Sequence, residues 1–357
     1  MSRMLRVEKR LTQTVWQDVF VTLLSLVLAL LFGAVFLRAL GVSPWEAYSE
    51  MFRASMGDFF GVTETIGKAT PIMIAGVGVL LAFKMSVWNI GAAGQAFIGA
   101  LAATTAVRYF FVDNRFVMFW IMLALVVVTA GSWSAIAGYL KARWNVNEII
   151  TTLMLNYIAL QILYYFVYGP WRDPASLGFP MTAPFPLAAR LPFLGETRIH
   201  IGLILAVILA IVFWYVFRST RWGYEIRVMG QSPRTARFAG MNYGKNVVLV
   251  MFLSGAIAGI AGMGEIAGLA GRLQPGFTAD YGYTAIIVAW LARLNPLAIP
   301  LVSFLIGALQ VGGETLQIVM RLPLASTLVL QGLVLFFVLG GEFFRFYRIR
   351  LVREVSD

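Results

Sequence analysis

Apolar runs long enough to cross a lipid bilayer recur from one end of the chain to the other. A helix needs about 20 apolar residues to span roughly 30 Å of hydrocarbon, and several runs approach that length. Hydrophobic residues make up 60% of the 357 residues and charged residues 13%, a balance that water solvates poorly. The runs are continuous, whereas membrane β-barrels alternate in short segments. The sequence therefore predicts an all-α integral membrane protein with one transmembrane domain, residues 1–357.

About ten transmembrane helices are predicted. They are placed at residues 19–40, 63–83, 88–110, 116–140, 147–168, 200–217, 246–268, 281–296, 297–319 and 323–342. Two glycine-containing breaks, residues 84–94 and Gly271–Ala292, each lead into an apolar span. If the two halves match, they begin on opposite sides of the membrane, which predicts an inverted repeat with broken or re-entrant helices. The alternative is chance similarity between two apolar sequences.

Charge predicts the orientation of the chain. The net charge is +11, and 18 of the 28 lysines and arginines face the cytoplasm if both termini do. This arrangement makes residues 218–245 a cytoplasmic loop and residues 169–199 an external loop. Basic loops facing anionic lipid explain the net charge better than nucleic-acid binding does.

Several kinds of chemistry are excluded. The chain has no cysteine and a single histidine, His200, so no cysteine-based or histidine-cluster metal site is expected. No P-loop motif occurs, which indicates that the chain does not itself bind ATP. No catalytic constellation is found, and we expect neither an enzyme nor a cofactor on this chain.

Polar residues inside the predicted spans are the candidate pathway residues. Asn89 and Gln95 lie in the apolar stretch "WNIGAAGQAFIGA", where an unpaired amide would cost several kcal/mol, so they must face protein, water or a solute. Asn156 and Glu265 lie in later predicted spans, where a polar or charged side chain without a partner would also be costly. The alternative for the whole stretch is helix packing, with glycines in close contact and amides paired across it. Glu148 is expected to pair with Lys141 or Arg143.

The two long loops carry different signals. In residues 218–245, Ser232 suits a helix N-cap, Pro233 the first turn and Gly240 the position after the helix end. A short cationic helix is therefore predicted between them. The external loop is rich in proline and aromatic residues, including Trp171, and is expected to form an ordered cap.

Five segments in order resemble the permeases of ABC importers for branched-chain amino acids, ribose and nucleosides. They are "WNIGAAGQAFIGA", "NEIITTLMLNYIAL", "RVMGQSPRTARFAGM", "SGAIAGIAGMGEIAG" and "GYTAIIVAWLARLNPLAIP". The "TTLMLNY" form and the proline-rich outer loop are most similar to the nucleoside (simple-sugar/purine) type. The chain departs from the family pattern at Ser232 and Thr235, and at Trp290 and Ala292, where small residues and glycine are usual.

The resemblance implies a function and a set of partners. The chain would be one transmembrane subunit of an ATP-driven importer in a bacterial-type inner (plasma) membrane, with nucleosides as the first expected substrate and monosaccharides or branched-chain amino acids next. Its partners would be a second permease, related or identical, an ABC ATPase that holds the ATP and Mg, an external binding protein and membrane lipid. Residues Pro233, Arg234, Arg237, Phe238 and Gly240 would form the helix that contacts the ATPase.

Three other functions remain open on the sequence. An ion-coupled secondary transporter would need no cytoplasmic coupling helix and would carry its ion on an intramembrane acid such as Glu265. A membrane enzyme acting on lipid would need a pair of polar residues at one interface, and none is evident. A scaffold subunit would tolerate substitution throughout residues 88–100.

Overall fold

The protein is predominantly helical, as the sequence predicts. The structure, a computed structural model, describes residues 3–9, 15–277, 281–323 and 325–353. The α-helices of this part are α1 (Val15–Ala39), α2 (Pro44–Met56), α3 (Phe59–Lys84), α4 (Ala92–Tyr109), α5 (Arg115–Trp144), α6 (Glu148–Tyr168), α7 (Gly202–Ser219), α8 (Arg221–Gln231), α9 (Pro233–Phe238), α10 (Tyr243–Gly264), α11 (Tyr281–Leu291), α12 (Ile299–Val319) and α13 (Ala325–Phe346). A π-helical turn, Glu265–Ala270, follows α10.

Two short strands were not predicted. Strand β1 (Arg3–Lys9) pairs antiparallel with β2 (Tyr347–Arg353), which joins the two ends of the chain. Both segments are basic and lie outside the apolar runs. In β2, however, apolar residues and arginines alternate from Tyr347 to Leu351, a strand pattern that the prediction of an all-α chain overlooked.

The predicted number of ten transmembrane spans is not confirmed. Among the described residues, six helices are long and apolar enough to cross a membrane, and the pair Leu23–Ala39 and Pro44–Met56, bent by 115°, would make a seventh. The predicted spans 88–110, 281–296 and 323–342 correspond to α4, α11 and α13. Helix α4 is less apolar because it carries Gln95, threonines and Arg108, and the apolar parts of the other two are short. Residues 278–280 of the second predicted break lie outside the described residues.

The chain forms two compact units. One comprises Met1–Asp58 with Leu309–Asp357, and the other is Phe59–Ala308. In the first, α1 packs along α13, with the rings of Phe32 and Phe337 4.8 Å apart, and Tyr48 Oη donates a hydrogen bond to the Leu30 carbonyl.

Helices α3 and α10 form the centre of the Phe59–Ala308 unit and are buried along most of their length. Small residues permit this packing, because α10 repeats glycine and alanine and can approach its neighbours closely. The closest approach is to α4: a Cβ on Gly262 would lie 2.0 Å from the Ala96 carbonyl oxygen, and one on Gly99 would lie 2.2 Å from the Gly259 carbonyl oxygen. Helices α4 and α10 therefore touch backbone to backbone.

Gly262→Ala should lower stability, because the added methyl group forces these two backbones apart. Overpacking of this kind costs about 1–3 kcal/mol. The measurement is the thermal unfolding midpoint of the purified chain in detergent. Gly332→Ala is the matched control: Gly332 lies in helix α13 with open space around it. A midpoint for Gly262→Ala equal to that of the control would contradict the close contact.

Candidate functional site

The chain breaks its helical path between α3 and α4, and the break contains Asn89 and is bonded by Asn156 of α6. Residues 85–91 are non-helical, and Ser86 has a positive φ of 55°. A break inside an apolar bundle leaves backbone N–H and C=O groups without helical partners. We call this segment, with the side chains that bond to it, the polar junction.

Asn89 and Gln95 form the centre of the polar junction. Asn89 Nδ2 donates to Gln95 Oε1 at 3.0 Å, and Gln95 Nε2 donates to Asn89 Oδ1 at 2.9 Å. Asn89 Oδ1 also accepts from the Gly91 backbone N–H at 2.9 Å. The two residues are 0% and 1% exposed, so the first turn of α4 is closed by an amide pair without access to solvent.

Two serines extend the amide pair to other helices. Asn89 Nδ2 donates to Ser254 Oγ of α10 at 2.8 Å, and Gln95 Nε2 donates to Ser134 Oγ of α5 at 3.0 Å. Ser254 Oγ in turn donates to the Gly78 carbonyl of α3 at 2.7 Å. A single network of hydrogen bonds thus joins four helices.

Helix α6 supplies the partners for the backbone of the break. Asn156 Oδ1 accepts from Gly94 N at 2.8 Å, and Asn156 Nδ2 donates to the Ile90 carbonyl at 2.9 Å. Thr152 Oγ1 accepts from Ile90 N at 3.3 Å. At the edge of the break, Glu148 Oε1 accepts from Trp88 N at 3.2 Å.

Glu148 is held by the ion pair that the sequence suggested. Lys141 Nζ lies 2.6 Å from Glu148 Oε2, and both side chains are largely buried. A buried carboxylate with a cation on one oxygen and a backbone N–H on the other satisfies its charge locally. Glu148 is therefore a structural residue of the polar junction.

The structure brings together three of the four residues predicted to line a substrate pathway. Asn89, Gln95 and Asn156 bond to protein groups, which corresponds to the helix-packing alternative that the sequence left open. Glu265 is buried elsewhere, at the start of the π-helical turn after α10. A pathway role for these four residues remains a prediction.

Ser134 and Ser254 were not singled out from the sequence. Both are small polar residues within apolar helices, and Ser254 begins the glycine- and alanine-rich part of α10. Such serines commonly bond back to their own helix, so one sequence gives no sign that they meet an amide pair on another helix.

Trp290, which departs from the family pattern, packs beside the break. Its ring centroid lies 5.6 Å from that of Trp88 and 5.9 Å from that of Phe83. The indole of α11 therefore fills the space next to the end of α3, and a small residue would leave that space open.

The loop of residues 169–199 is an ordered cap, as predicted. Trp171 and Phe185 are buried, whereas Phe179 and Phe193 are exposed. The loop bonds to the segment after α10: Thr182 N donates to the Leu273 carbonyl at 2.9 Å and Phe185 N to the Gly271 carbonyl at 2.8 Å. The cap thus holds the second break of the chain.

His200 is the single histidine and lies at the end of this cap, just before α7. It is 1% exposed, and its Nδ1 accepts from Gly202 N at 3.1 Å. Burial lowers the pKa of His200 to about 4, so the ring is neutral at neutral pH.

The predicted short cationic helix is present as α9. Ser232 Oγ caps it by accepting from Thr235 N at 3.2 Å. At its end, Gly240 has φ +76°, Gly240 N donates to the Arg237 carbonyl, and Met241 N donates to the Ala236 carbonyl. These two bonds form a Schellman motif, which fixes both ends of a helix of only six residues.

Helix α9 is anchored on one side and exposed on the other. Ala236 is fully buried, while Arg234, Arg237 and Phe238 are exposed, Phe238 by 83%. The guanidinium of Arg237 lies 5.3 Å from the centre of the Tyr243 ring, a cation–π distance. Two exposed arginines beside an exposed phenylalanine are residue types that often act as anchors in protein interfaces.

Helix α8, which was not predicted, connects α9 to the polar junction. Ser86 Oγ of the break donates to the Gly230 carbonyl near the end of α8 at 2.8 Å. The buried residues of α8, Gly223, Ile226 and Met229, lie on one face, so the helix packs along the bundle. The three-residue spacing of these buried positions is the sequence signal for α8. Two glycines among its eleven residues weaken that signal, because glycine disfavours a helix.

One face of α6 carries polar and aromatic side chains but is exposed. Tyr157 and Tyr165 are 56% and 68% exposed, and Gln161 between them is exposed too. They line one open surface groove. Ile158, Ile162 and Phe166 complete the lining, so the groove is largely apolar and the Gln161 amide is one of its few polar groups.

Comparison with known proteins gives the family. The family model "Branched-chain amino acid transport system / permease component" matches residues 61–339. The chain belongs to this family. It is therefore the permease subunit of an ABC transporter and a multi-pass membrane protein, and the prediction that it is not itself the ATPase is confirmed. Membership implies an ATPase subunit and a further permease subunit as partners.

Three relatives are similar over most of the chain. A glucose ABC transporter permease of Haloferax volcanii is 36% identical, over 97% of this chain and 93% of the relative. A guanosine ABC transporter permease of Bacillus subtilis is 30% identical, over 94% and 97%. A nucleoside ABC transporter permease of Lactococcus lactis is 26% identical, over 83% and 84%.

Asn89→Leu should destabilise the permease strongly, because Gln95, Ser254 and the Gly91 N–H lose their buried partner. Each buried polar group left without a partner costs about 1–3 kcal/mol. Thermal midpoints of Asn89→Leu, Ser254→Ala and the double variant form a thermodynamic cycle. The double variant should lose less than the sum of the single losses. Strictly additive losses would contradict a direct bond between the two residues.

Proposed function

We propose that this permease imports its solute by alternating access driven by ATP on separate subunits. Helix α9 inserts its exposed face, Arg234, Phe238 and Arg237, into a groove on an ABC ATPase that binds ATP and Mg. The observation that carries the proposal is an exposed, doubly capped cationic helix tied to a break in the membrane bundle. An ion-coupled transporter has no need of such a helix.

A displacement of α9 can be transmitted to the helix bundle through α8. Pro233 follows directly on α8 and its N-cap Ser232, and α8 bonds to the break through Gly230 and Ser86. The break is bonded to four helices through Asn89, Gln95 and Asn156. A displacement of α9 of an ångström or more therefore moves the junction and the helices fixed to it, since packed elements shift as units.

The proposal sets the orientation of the chain. Both termini and the α8–α9 pair face the cytoplasm of a bacterial-type inner membrane, in agreement with the excess of basic residues on that side. The 169–199 cap faces outward, where an external binding protein delivers the solute. A second permease, identical or related, completes the pore.

The exposed face of α6 borders the pore in this proposal. Tyrosine rings can stack on a purine base or a sugar ring, and the Gln161 amide can exchange hydrogen bonds with hydroxyl groups. Asn89, Gln95, Asn156 and Glu265 were predicted as pathway residues. In this arrangement the first three reach solute only if the polar junction opens during the cycle.

Nucleosides are the proposed substrate, and monosaccharides are the second candidate. Two of the relatives are named for guanosine or nucleosides, and the relative of highest identity among the three is named for glucose. A nucleoside contains both a planar base and a sugar, so it uses stacking and hydroxyl contacts together.

Reversing charge on α9 should disconnect the ATPase without unfolding the permease. In Arg234→Glu/Arg237→Glu, the ATPase should co-purify at least tenfold less and uptake should fall in parallel, because exposed arginines act as interface anchors. Arg221→Glu on α8 is the control, since Arg221 is an exposed cation outside α9. Full ATPase association of the double variant, at unchanged thermal stability, would rule out α9 as the contact.

Uptake into vesicles separates the candidate functions. With permease, ATPase and binding protein reconstituted, labelled guanosine should accumulate only with internal ATP, and unlabelled nucleosides should compete while glucose does not. Tyr157→Ala with Tyr165→Ala should raise the half-saturating concentration about thirtyfold, since each of the two stacked rings contributes roughly 1 kcal/mol. Competition by glucose alone would favour the monosaccharide. Uptake driven by an ion gradient without ATP would favour the secondary transporter.

A further inference from the structure

A crevice opens between the start of α5, the start of α7 and the end of the 169–199 cap. Its wider part has a volume of about 370 Å³ and is lined by Arg115, Arg190, Phe116, Trp120 and Ile201, among others. A narrower part of about 180 Å³ shares Phe119, Leu191 and Ile201 with it and continues to Ile208 of α7 and Met263 of α10. The crevice is apolar along nearly all of its surface, and Arg115 and Arg190 are the two charged residues in the lining of its wider part.

The two arginines are positioned by the cap. Arg115 Nη2 donates to the Leu187 carbonyl at 3.4 Å, and Arg190 Nε donates to the Phe185 carbonyl at 2.9 Å. One carbonyl accepts only part of what a guanidinium can donate, so each arginine retains N–H groups for a further acceptor. Both belong to the lining of the same cavity, so two positively charged residues border it.

The surroundings fit the boundary between lipid headgroups and tails. Phe116 is 71% and Trp120 52% exposed, and aromatic residues of this kind concentrate at the membrane interface. Below them the lining is apolar and runs along a helix that crosses the membrane. A ligand for this crevice therefore needs an anionic head and a long apolar chain.

We propose that the crevice binds one anionic glycerophospholipid. Its phosphate lies between Arg115 and Arg190, where planar guanidinium groups give paired, charge-assisted hydrogen bonds. One acyl chain follows the crevice along α7 towards Met263, and burial of its methylene groups adds to the affinity. The bound lipid joins the cap to α5 and α7, and so supports the segment that holds the break after α10.

A labelling experiment tests the proposal on the full chain. The chain contains no cysteine, so Ile204→Cys, at an exposed position on the edge of the narrower part of the crevice, gives a single site for a small fluorophore beside the proposed acyl chain. In nanodiscs, phosphatidylglycerol with brominated chains should quench this label at roughly tenfold lower mole fraction than brominated phosphatidylcholine. Soluble glycerol 3-phosphate should not relieve the quenching, because it lacks the chain.

Matched variants identify the headgroup contact. Arg115→Gln/Arg190→Gln should remove the preference for phosphatidylglycerol and leave quenching by phosphatidylcholine unchanged. Arg172→Gln, which removes an exposed cation of the same loop outside the crevice, should keep the preference. Equal quenching by the two lipids in the unaltered chain would overturn the proposal. Absence of quenching by either lipid would also overturn it, since another occupant, such as a partner subunit, would then fill the crevice.

Discussion

The fold depends on how the chain satisfies its backbone where a helix stops inside an apolar bundle. Between α3 and α4 the N–H groups of Trp88, Ile90 and Gly91 and the Ile90 carbonyl bond to no helix backbone, and hydrocarbon offers no partners. Side chains supply them: the amides of Asn89 and Asn156, the hydroxyl of Thr152 and the carboxylate of Glu148. Because these bonds are buried, each is expensive to lose. They fix α4 against its neighbours as firmly as the close contact with α10 does.

This constraint gives the proposed coupling its physical basis. A helix of six residues could not transmit force through a flexible loop, but α9 continues from α8, and α8 bonds to the break at Ser86. The break in turn is part of a network that spans α3, α4, α5 and α10. In this proposal, helix α9 and the membrane bundle are therefore connected by hydrogen bonds through α8 and Ser86.

The sequence predicted the class of fold and the local structures whose signals lie within a few residues. Ser232, Pro233 and Gly240 specify α9 because capping is a matter of neighbouring residues. The long-range contacts could not be predicted. Ser254 lies 165 residues from Asn89, and a single sequence contains no information on which distant residues form hydrogen bonds. The number of ten spans stays a prediction, because apolarity alone does not distinguish a crossing helix from a short buried one such as α11.

Hydrogen exchange at the polar junction tests the account most directly. The amides of Trp88, Ile90, Gly91 and Gly94 donate to buried side-chain oxygens of the network. In the assembled transporter without nucleotide, the account predicts that these amides exchange as slowly as the core of α10, and that Ser86→Ala leaves them protected while weakening coupling. Exchange of residues 88–94 in this state as fast as the exposed turns of the 169–199 loop would contradict the buried hydrogen-bond network.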